Sequence, residues 1–119
     1  MEKAVIILTH GSRNDKSNKQ FKKLITKIKN DLSSETKGAF LEIAEPQFED
    51  VVEKLLKKDI KDITILPLFF FAGYHVQEDI PNRIVGLKEK YPDLFFTLLE
   101  PVGLNEKFSQ FVKEKLNSV

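Results

Sequence analysis

Two histidines are the residues of this sequence best suited to chemistry. His10 follows an apolar run at residues 4–9, and His75 follows another at residues 63–71. A neutral imidazole is a common ligand of borderline divalent metals, and it also accepts protons near neutral pH. Because the two histidines are far apart in the sequence, their use in one site depends on the fold. Taken singly, each could equally be an ordinary surface or capping residue.

Three carboxylates follow strand-like segments in the same way. Glu42 and Glu45 lie at the end of the segment 38–43, and Glu100 follows the segment 94–99. The chain contains no cysteine, which excludes disulfides, thiolate nucleophiles and iron–sulfur ligation. Any metal site must therefore use nitrogen and oxygen ligands. Glu45 precedes Pro46 and could instead stabilise the start of a helix by its charge.

The segment after His10 could bind an anion. Gly11 and Ser12 would let backbone amides approach it at the start of a helix, and Arg13 could pair with a carboxylate through two hydrogen bonds. This favours a substrate rich in carboxylates. The segment lacks the spacing of a Walker A or dinucleotide loop, and a glycine after a strand is often only a turn.

Aromatic residues surround His75. The phenylalanines of residues 68–71 are expected mostly in the core, although one or two could line an apolar surface for a flat ring together with Tyr74. Asp79 precedes Ile80 and Pro81, which predicts that it caps the third helix.

The elements that position these residues alternate along the chain. Apolar, β-branched runs predict strands at residues 4–9, 38–43, 63–71 (irregular after Pro67) and 94–99. Apolar residues at helical spacing predict helices at 21–32, from Pro46 to 56, from Pro81 to about 91, and up to 116 after an Asn105 cap. We therefore expect an α/β fold: a single domain over residues 1–119, with an open parallel sheet of four strands and helices on both faces.

Composition narrows the function further. Nineteen basic and eighteen acidic residues give a net charge of +1, so nucleic acid is not an expected partner. The apolar start is too short for a signal peptide or a membrane span, so we expect a cytoplasmic protein without membrane contact.

Ligands of parallel α/β sheets bind at the carboxyl ends of the strands, where both histidines and the carboxylates are expected.

Three motifs resemble one known family. They are THGSR at 9–13, FLEIAEP at 40–46 and PLFFFAGYHVQEDIP at 67–81, in this order along nearly the whole chain. Together they make the sequence similar to the short form of the CbiX family, the sirohydrochlorin chelatases, which are class II chelatases with flavodoxin-like layering. Longer relatives contain two such domains in tandem. The resemblance implies that a short form acts as a homodimer.

The resemblance also implies an activity, a lyase that inserts Co²⁺, Ni²⁺ or Fe²⁺ into sirohydrochlorin without ATP. The product would lead to cobalamin, coenzyme F430 or siroheme, and no cofactor beyond the substrate metal is implied. His10 and His75 would be metal ligands and proton acceptors, assisted by Glu42 or Glu45. The substrate-binding residues would be Ser12, Arg13, Gly73, Tyr74 and Val76.

Two other functions remain open from the residues. A tetrapyrrole or metal carrier would bind the same ligands and release them unchanged, and only turnover with excess substrate separates it from a chelatase. A phosphatase with a phosphorylated His10 would need basic residues for phosphate, and the only arginines are Arg13 and Arg83.

Overall fold

The expected alternation of strands and helices is present in a computed structural model that describes residues 2–119. The strands are β1 (Lys3–Thr9), β2 (Glu35–Phe40), β3 (Asp62–Pro67) and β4 (Phe95–Leu98). The helices are α1 (Asp15–Lys29), α2 (Phe48–Lys57), α3 (Ile80–Lys90) and α4 (Glu106–Asn117). A π-helical turn (His75–Asp79) runs directly into α3, and a 3₁₀ turn (Val102–Leu104) precedes α4.

All four strands are parallel and form one sheet in the order β2-β1-β3-β4. The predicted fold class is confirmed. Because the strands run in the same direction, their carboxyl ends meet along one edge. β1 lies in the interior of the sheet, so the residues that follow it are flanked by those that follow β2 and β3.

The alternating side chains of β1 divide the core between two faces. Ala4, Ile6 and Leu8 pack with the buried residues of α2 and α3. Ile7, on the opposite face, packs with Phe40 and with the buried face of α1. Helices therefore cover both faces, as predicted.

The second face is covered only in part, because α4 has no buried residue. Phe96 of β4 packs towards the α2 and α3 side, so Phe95 points to the other face, where 59% of it is exposed. On α4, Phe111 is 53% and Leu116 67% exposed. The apolar side of the last helix and the face of β4 next to it thus both remain open.

Several predicted boundaries are wrong. The second strand ends at Phe40 rather than at residue 43, since the chain turns away from the sheet and Ile43 has a φ of 72° and an exposed side chain. The third strand ends at Pro67 and does not continue to 71. Pro46 precedes α2, which begins at Phe48. The predicted cap Asn105 is confirmed, because its side chain accepts a hydrogen bond from the amide of Lys107.

Within residues 2–119, no helix is both long enough and apolar enough to cross a membrane.

Candidate metal-binding site

His10 leaves the sheet directly after β1 and is held by backbone on both sides. Its Nδ1 lies 2.9 Å from the carbonyl oxygen of Gly11. A carbonyl can only accept, so Nδ1 carries the hydrogen and Nε2 of the neutral ring has a free lone pair. The backbone oxygen of His10 accepts a bond from the amide of Glu42 at 2.9 Å, which extends the β1–β2 pairing by two residues beyond its end.

Gly11 allows this close approach. Its φ is 100°, and an added Cβ would lie 2.1 Å from the carbonyl oxygen of Glu42. Only glycine combines this backbone conformation with that little space. The contact brings the Glu42 side chain to His10, with Oε2 at 3.3 Å from Nε2.

His75 lies on the π-helical turn, not in the loop that the sequence predicted. The amide of Ile80 donates to the carbonyl of His75, five residues earlier, and the turn continues into α3. Nδ1 of His75 lies 2.9 Å from Oδ2 of Asp79. The ring also stacks on Phe69, with centroids 5.9 Å apart and an angle of 26° between the planes.

The fold brings the two histidines together. Their ring centroids are 4.8 Å apart. In each ring Nδ1 is engaged by an oxygen acceptor, which leaves Nε2 as the nitrogen available to a metal or a proton. Metal-binding histidines commonly donate their other ring hydrogen to a carboxylate or a carbonyl in this way. Together with Glu42, the two rings provide nitrogen and oxygen donors at the predicted edge of the sheet.

Nε2 of His10 and Oε2 of Glu42 face each other without a hydrogen of their own. A lone pair and a carboxylate oxygen at 3.3 Å repel unless a positive ion lies between them. That ion can be a proton or a divalent metal. The pair is therefore suited to exchange one for the other. Among residues 2–119, no group of three or more His, Asp or Glu side chains is arranged to hold a metal ion, so this site offers the His10–Glu42 pair and the neighbouring His75 ring rather than a complete ligand set.

Asp79 does not cap α3, contrary to the prediction, because its backbone is helical and its side chain bonds no free amide of that helix. Its carboxylate instead accepts two hydrogen bonds, one at Oδ2 from Nδ1 of His75 and one at Oδ1 from Nε of Arg83, at 3.0 Å. Partial burial raises the pKa of Asp79, but the hydrogen bonds from His75 and Arg83 outweigh that effect, and the pKa lies below its ordinary value. Asp79 is therefore a carboxylate at neutral pH and keeps the hydrogen of His75 on Nδ1.

The glutamates predicted from the sequence are placed differently from one another. Glu42 contacts His10. Glu45 is exposed, and within residues 2–119 it makes no ion pair or side-chain hydrogen bond. Glu100 lines a separate cavity of about 610 Å³ between the end of β3 and α4.

The predicted substrate-binding residues lie within three positions of His10 or His75 in the sequence. The amide and carbonyl of Ser12 bond the Asn18 side chain at 3.0 and 2.7 Å, so this part of the backbone is already used to hold α1 in place. Arg13 is exposed. Gly73 and Tyr74 are exposed as well, and Val76 is half-buried. Tyr74 meets the ring of His75 edge-on, with centroids 5.4 Å apart.

Sequence reasoning missed Arg83 and the role of Asp79. His75, Asp79 and Arg83 follow one another at intervals of four, which places them on one face of a helix. This helical spacing is visible in the sequence, but a loop was expected before Pro81. Proline is tolerated in the first turn of a helix, so it does not require the preceding residues to be irregular.

Comparisons with known proteins identify relatives of this fold. The CbiX family model matches residues 4–119. A sirohydrochlorin ferrochelatase from Bacillus subtilis (strain 168) is 27% identical over 120 residues, which is 100% of this chain and 46% of the relative. The chain thus spans about half the length of such curated relatives.

Two solved structures are similar throughout the chain. A CbiX protein from Marinobacter aquaeolei VT8 has a TM-score of 0.84 at 28% identity, covering 98% of this chain and 99% of its own. The sirohydrochlorin chelatase SirB from Bacillus subtilis subspecies spizizenii, in complex with cobalt, has a TM-score of 0.90 at 26% identity. It is matched over 100% of this chain and 51% of its own.

Proposed function

This chain belongs to the CbiX family, and we propose that it inserts a divalent metal into sirohydrochlorin without ATP. Co²⁺, Ni²⁺ and Fe²⁺ are the candidate metals. The names of the relatives, a sirohydrochlorin ferrochelatase and a chelatase in complex with cobalt, support this substrate class. The pathway served would be that of cobalamin, siroheme or coenzyme F430.

One observation carries the proposal: Nε2 of His10 and Oε2 of Glu42 face each other at 3.3 Å, a separation that two neighbouring ligands of one divalent ion can have. Insertion replaces two N–H hydrogens of the macrocycle by one M²⁺, so two protons must leave as the metal enters. His10 and His75 hold the metal through Nε2 and release it to the four ring nitrogens. The nitrogen and oxygen atoms that lose the metal then accept the protons.

Four residues near the two histidines would bind the macrocycle. Phe69 and Tyr74 present aromatic surface beside His75, at centroid distances of 5.9 and 5.4 Å. Arg13 and Ser12 lie close to His10 in the sequence and could bind the peripheral carboxylates. A phosphatase is disfavoured because Arg83, one of only two arginines, already contacts Asp79, Glu42 and Glu49.

We propose further that the active species is a homodimer located in the cytoplasm. A single chain offers one wall of a cleft for a large macrocycle, and a second copy would supply the other. The open side of α4 and the open face of β4 support this, because α4 of each copy could cover that face of its partner. Relatives about twice as long would carry both walls in one chain. Light scattering tests the assembly, and cell fractionation tests the location.

An absorbance time course tests the activity. Purified protein is mixed with sirohydrochlorin and, separately, Co²⁺, Ni²⁺ and Fe²⁺, against controls with metal and sirohydrochlorin alone. We expect metallation of many equivalents per protein, and a loss of about 100-fold or more in His10→Ala and His75→Ala, as for removal of an acid–base group. A stoichiometric spectral change without turnover would instead identify a carrier.

Two isosteric variants decide between the glutamates. Glu42→Gln removes the negative charge beside His10, whereas Glu45→Gln removes one from an exposed side chain. We expect Glu42→Gln to have the larger effect on kcat. A larger effect of Glu45→Gln would overturn the assignment of Glu42.

A further inference from the structure

Arg83 connects the two sides of the candidate metal-binding site. From α3, its Nε donates to Oδ1 of Asp79 at 3.0 Å, which is the His75 side. Its Nη1 donates to the carbonyl oxygen of Leu41 at 3.0 Å, which is the His10 side, and lies 3.4 Å from Glu49 of α2. Only 22% of the arginine side chain is exposed.

On the His75 side, the two oxygens of Asp79 have separate partners. Oδ2 accepts the hydrogen of His75 Nδ1, and Oδ1 accepts that of Arg83. A carboxylate held at one oxygen by a guanidinium can rotate little about its last side-chain bond. The ring of His75 is thereby fixed with Nε2 directed away from Asp79.

On the His10 side, the segment Leu41–Glu42 is bound from both edges. Its amides donate to the carbonyls of Thr9 and His10, each at 2.9 Å, while the carbonyl of Leu41 faces Arg83. Nη2 of Arg83 also lies 3.9 Å from Oε1 of Glu42, whose other oxygen faces His10. The arginine therefore acts on Glu42 through its backbone and through its charge.

We propose that Arg83 is a positioning residue that sets the geometry of His75 and Glu42 together and contacts no substrate itself. The inference rests on the metal-binding role proposed above. A planar guanidinium donates in several fixed directions at once, whereas an ammonium is a single point charge. Lysine at this position could serve the Asp79 side or the Leu41 side, but not both.

The test compares Arg83→Met and Arg83→Lys with Lys90→Met. Lys90 is a matched control because it lies on the same helix and pairs with Glu53 of α2 at 3.2 Å, much as Arg83 pairs with Glu49. Each change to methionine removes one cation that links α3 to α2. Only Arg83 also reaches Asp79 and Leu41. Circular dichroism confirms that the variants are folded, and Arg83→Lys remains available if Arg83→Met is not.

The first measurement is the tautomer of each imidazole, read from ¹H–¹⁵N spectra of protein labelled at histidine, at about pH 8.5, where a free imidazole is neutral. The chain has only two histidines, so both are resolved. In Arg83→Met we expect His75 to lose its pure Nδ1–H form. His10 keeps it, because its partner is the carbonyl of Gly11.

The second measurement is the affinity for Co²⁺ alone, by titration calorimetry without tetrapyrrole. We expect about a tenfold or larger loss in Arg83→Met, as for other residues that orient a metal ligand. Arg83→Lys recovers part of it, and Lys90→Met is unchanged. If Arg83→Met matches Lys90→Met in tautomer and in Co²⁺ affinity, Arg83 only joins two helices and the proposal is wrong.

These readouts are independent of the proposed activity. If the His75 tautomer changes in Arg83→Met but the wild-type protein does not metallate sirohydrochlorin, the chelatase function is wrong and the positioning role stands. Metallation of sirohydrochlorin by the wild-type protein, together with an unchanged His75 tautomer in Arg83→Met, would overturn the positioning role and leave the chelatase function standing.

Discussion

The site region and the α4 region use apolar residues in opposite ways. Around β1, the apolar side chains of α2 and α3 are buried against the sheet, and the segments after β1 and β3 place the rings of His10 and His75 4.8 Å apart. At the other end, α4 has no buried residue, and its Phe108 stacks on Phe70. Both regions show apolar residues at helical spacing. The comparison shows that such spacing identifies the apolar side of a helix but not whether the chain itself buries that side.

The largest effect should come from comparing one buried and one exposed phenylalanine. Phe48 of α2 is fully buried, and Phe48→Ala should lower the free energy of unfolding by about 3–5 kcal/mol. Phe111 of α4 is 53% exposed, and Phe111→Ala should cost less than about 1 kcal/mol at low protein concentration. Urea denaturation measures both. Equal losses would mean that α4 is part of the core of its own chain.

A charge on α4 tests whether a second copy covers that helix. Phe111→Lys would place an ammonium on the proposed interface, and we expect dimer dissociation to become at least tenfold easier, or about 1.4 kcal/mol. Gln110→Lys adds the same charge to the adjacent position on the helix. Sedimentation equilibrium measures both. Similar dissociation constants for the two variants would move the interface away from Phe111.

A pair of glycines sharpens the comparison within the site region. Gly11→Ala forces a Cβ onto the Glu42 carbonyl at a positive φ, and it should cost about 1–3 kcal/mol and displace Glu42 from His10. Gly86→Ala, in α3, meets open space and should stabilise the protein by up to about 1 kcal/mol. Thermal unfolding gives the signs. Stabilisation by Gly11→Ala would mean that the loop after β1 does not approach Glu42 so closely.

The smallest effect should come from a surface carboxylate. Lys58 donates to Glu35 of β2 at 2.7 Å, and this hydrogen bond holds the pKa of Glu35 below its ordinary value of 4.5. The stability it provides is complete above pH 4.5 and is lost as the pH falls through the lower pKa of the folded state. Glu35→Gln should remove this part of the acid dependence, less than about 1 kcal/mol. If the free energy of unfolding depends on pH in the same way in the wild type and in Glu35→Gln, the ion pair provides no such stability.

The sequence predicted the order of elements because each buried strand is a continuous apolar run. It misplaced the end of β2 because Leu41 is buried and its amide still bonds the carbonyl of Thr9, whereas the chain turns away only at Ile43, with its φ of 72°. At Ile43 the side chain is apolar but exposed, and its backbone no longer has the extended conformation of a strand. A pattern of apolar residues therefore does not reveal the residue at which the backbone turns.

For the site, residue type and position at the ends of β1 and β3 were enough to bring His10 and His75 into consideration. The sequence left Glu42 and Glu45 equivalent, because what separates them is the turn at Ile43, with its φ of 72°. From the sequence, Arg83 was only a possible phosphate ligand. Its contact with the Leu41 carbonyl joins positions 42 residues apart, which no local pattern reveals.

Nε2 is the free nitrogen in both histidines, but only in His75 is the acceptor of the Nδ1 hydrogen a side chain. The acceptor for His75 is Asp79, which a point mutation can replace, so the orientation and tautomer of this ring are open to change by selection or by design. The acceptor for His10 is a main-chain carbonyl, which every residue possesses. No single codon change can delete that oxygen. A variant library could therefore change the Nδ1 partner of His75, while the Nδ1 partner of His10 would remain a carbonyl oxygen.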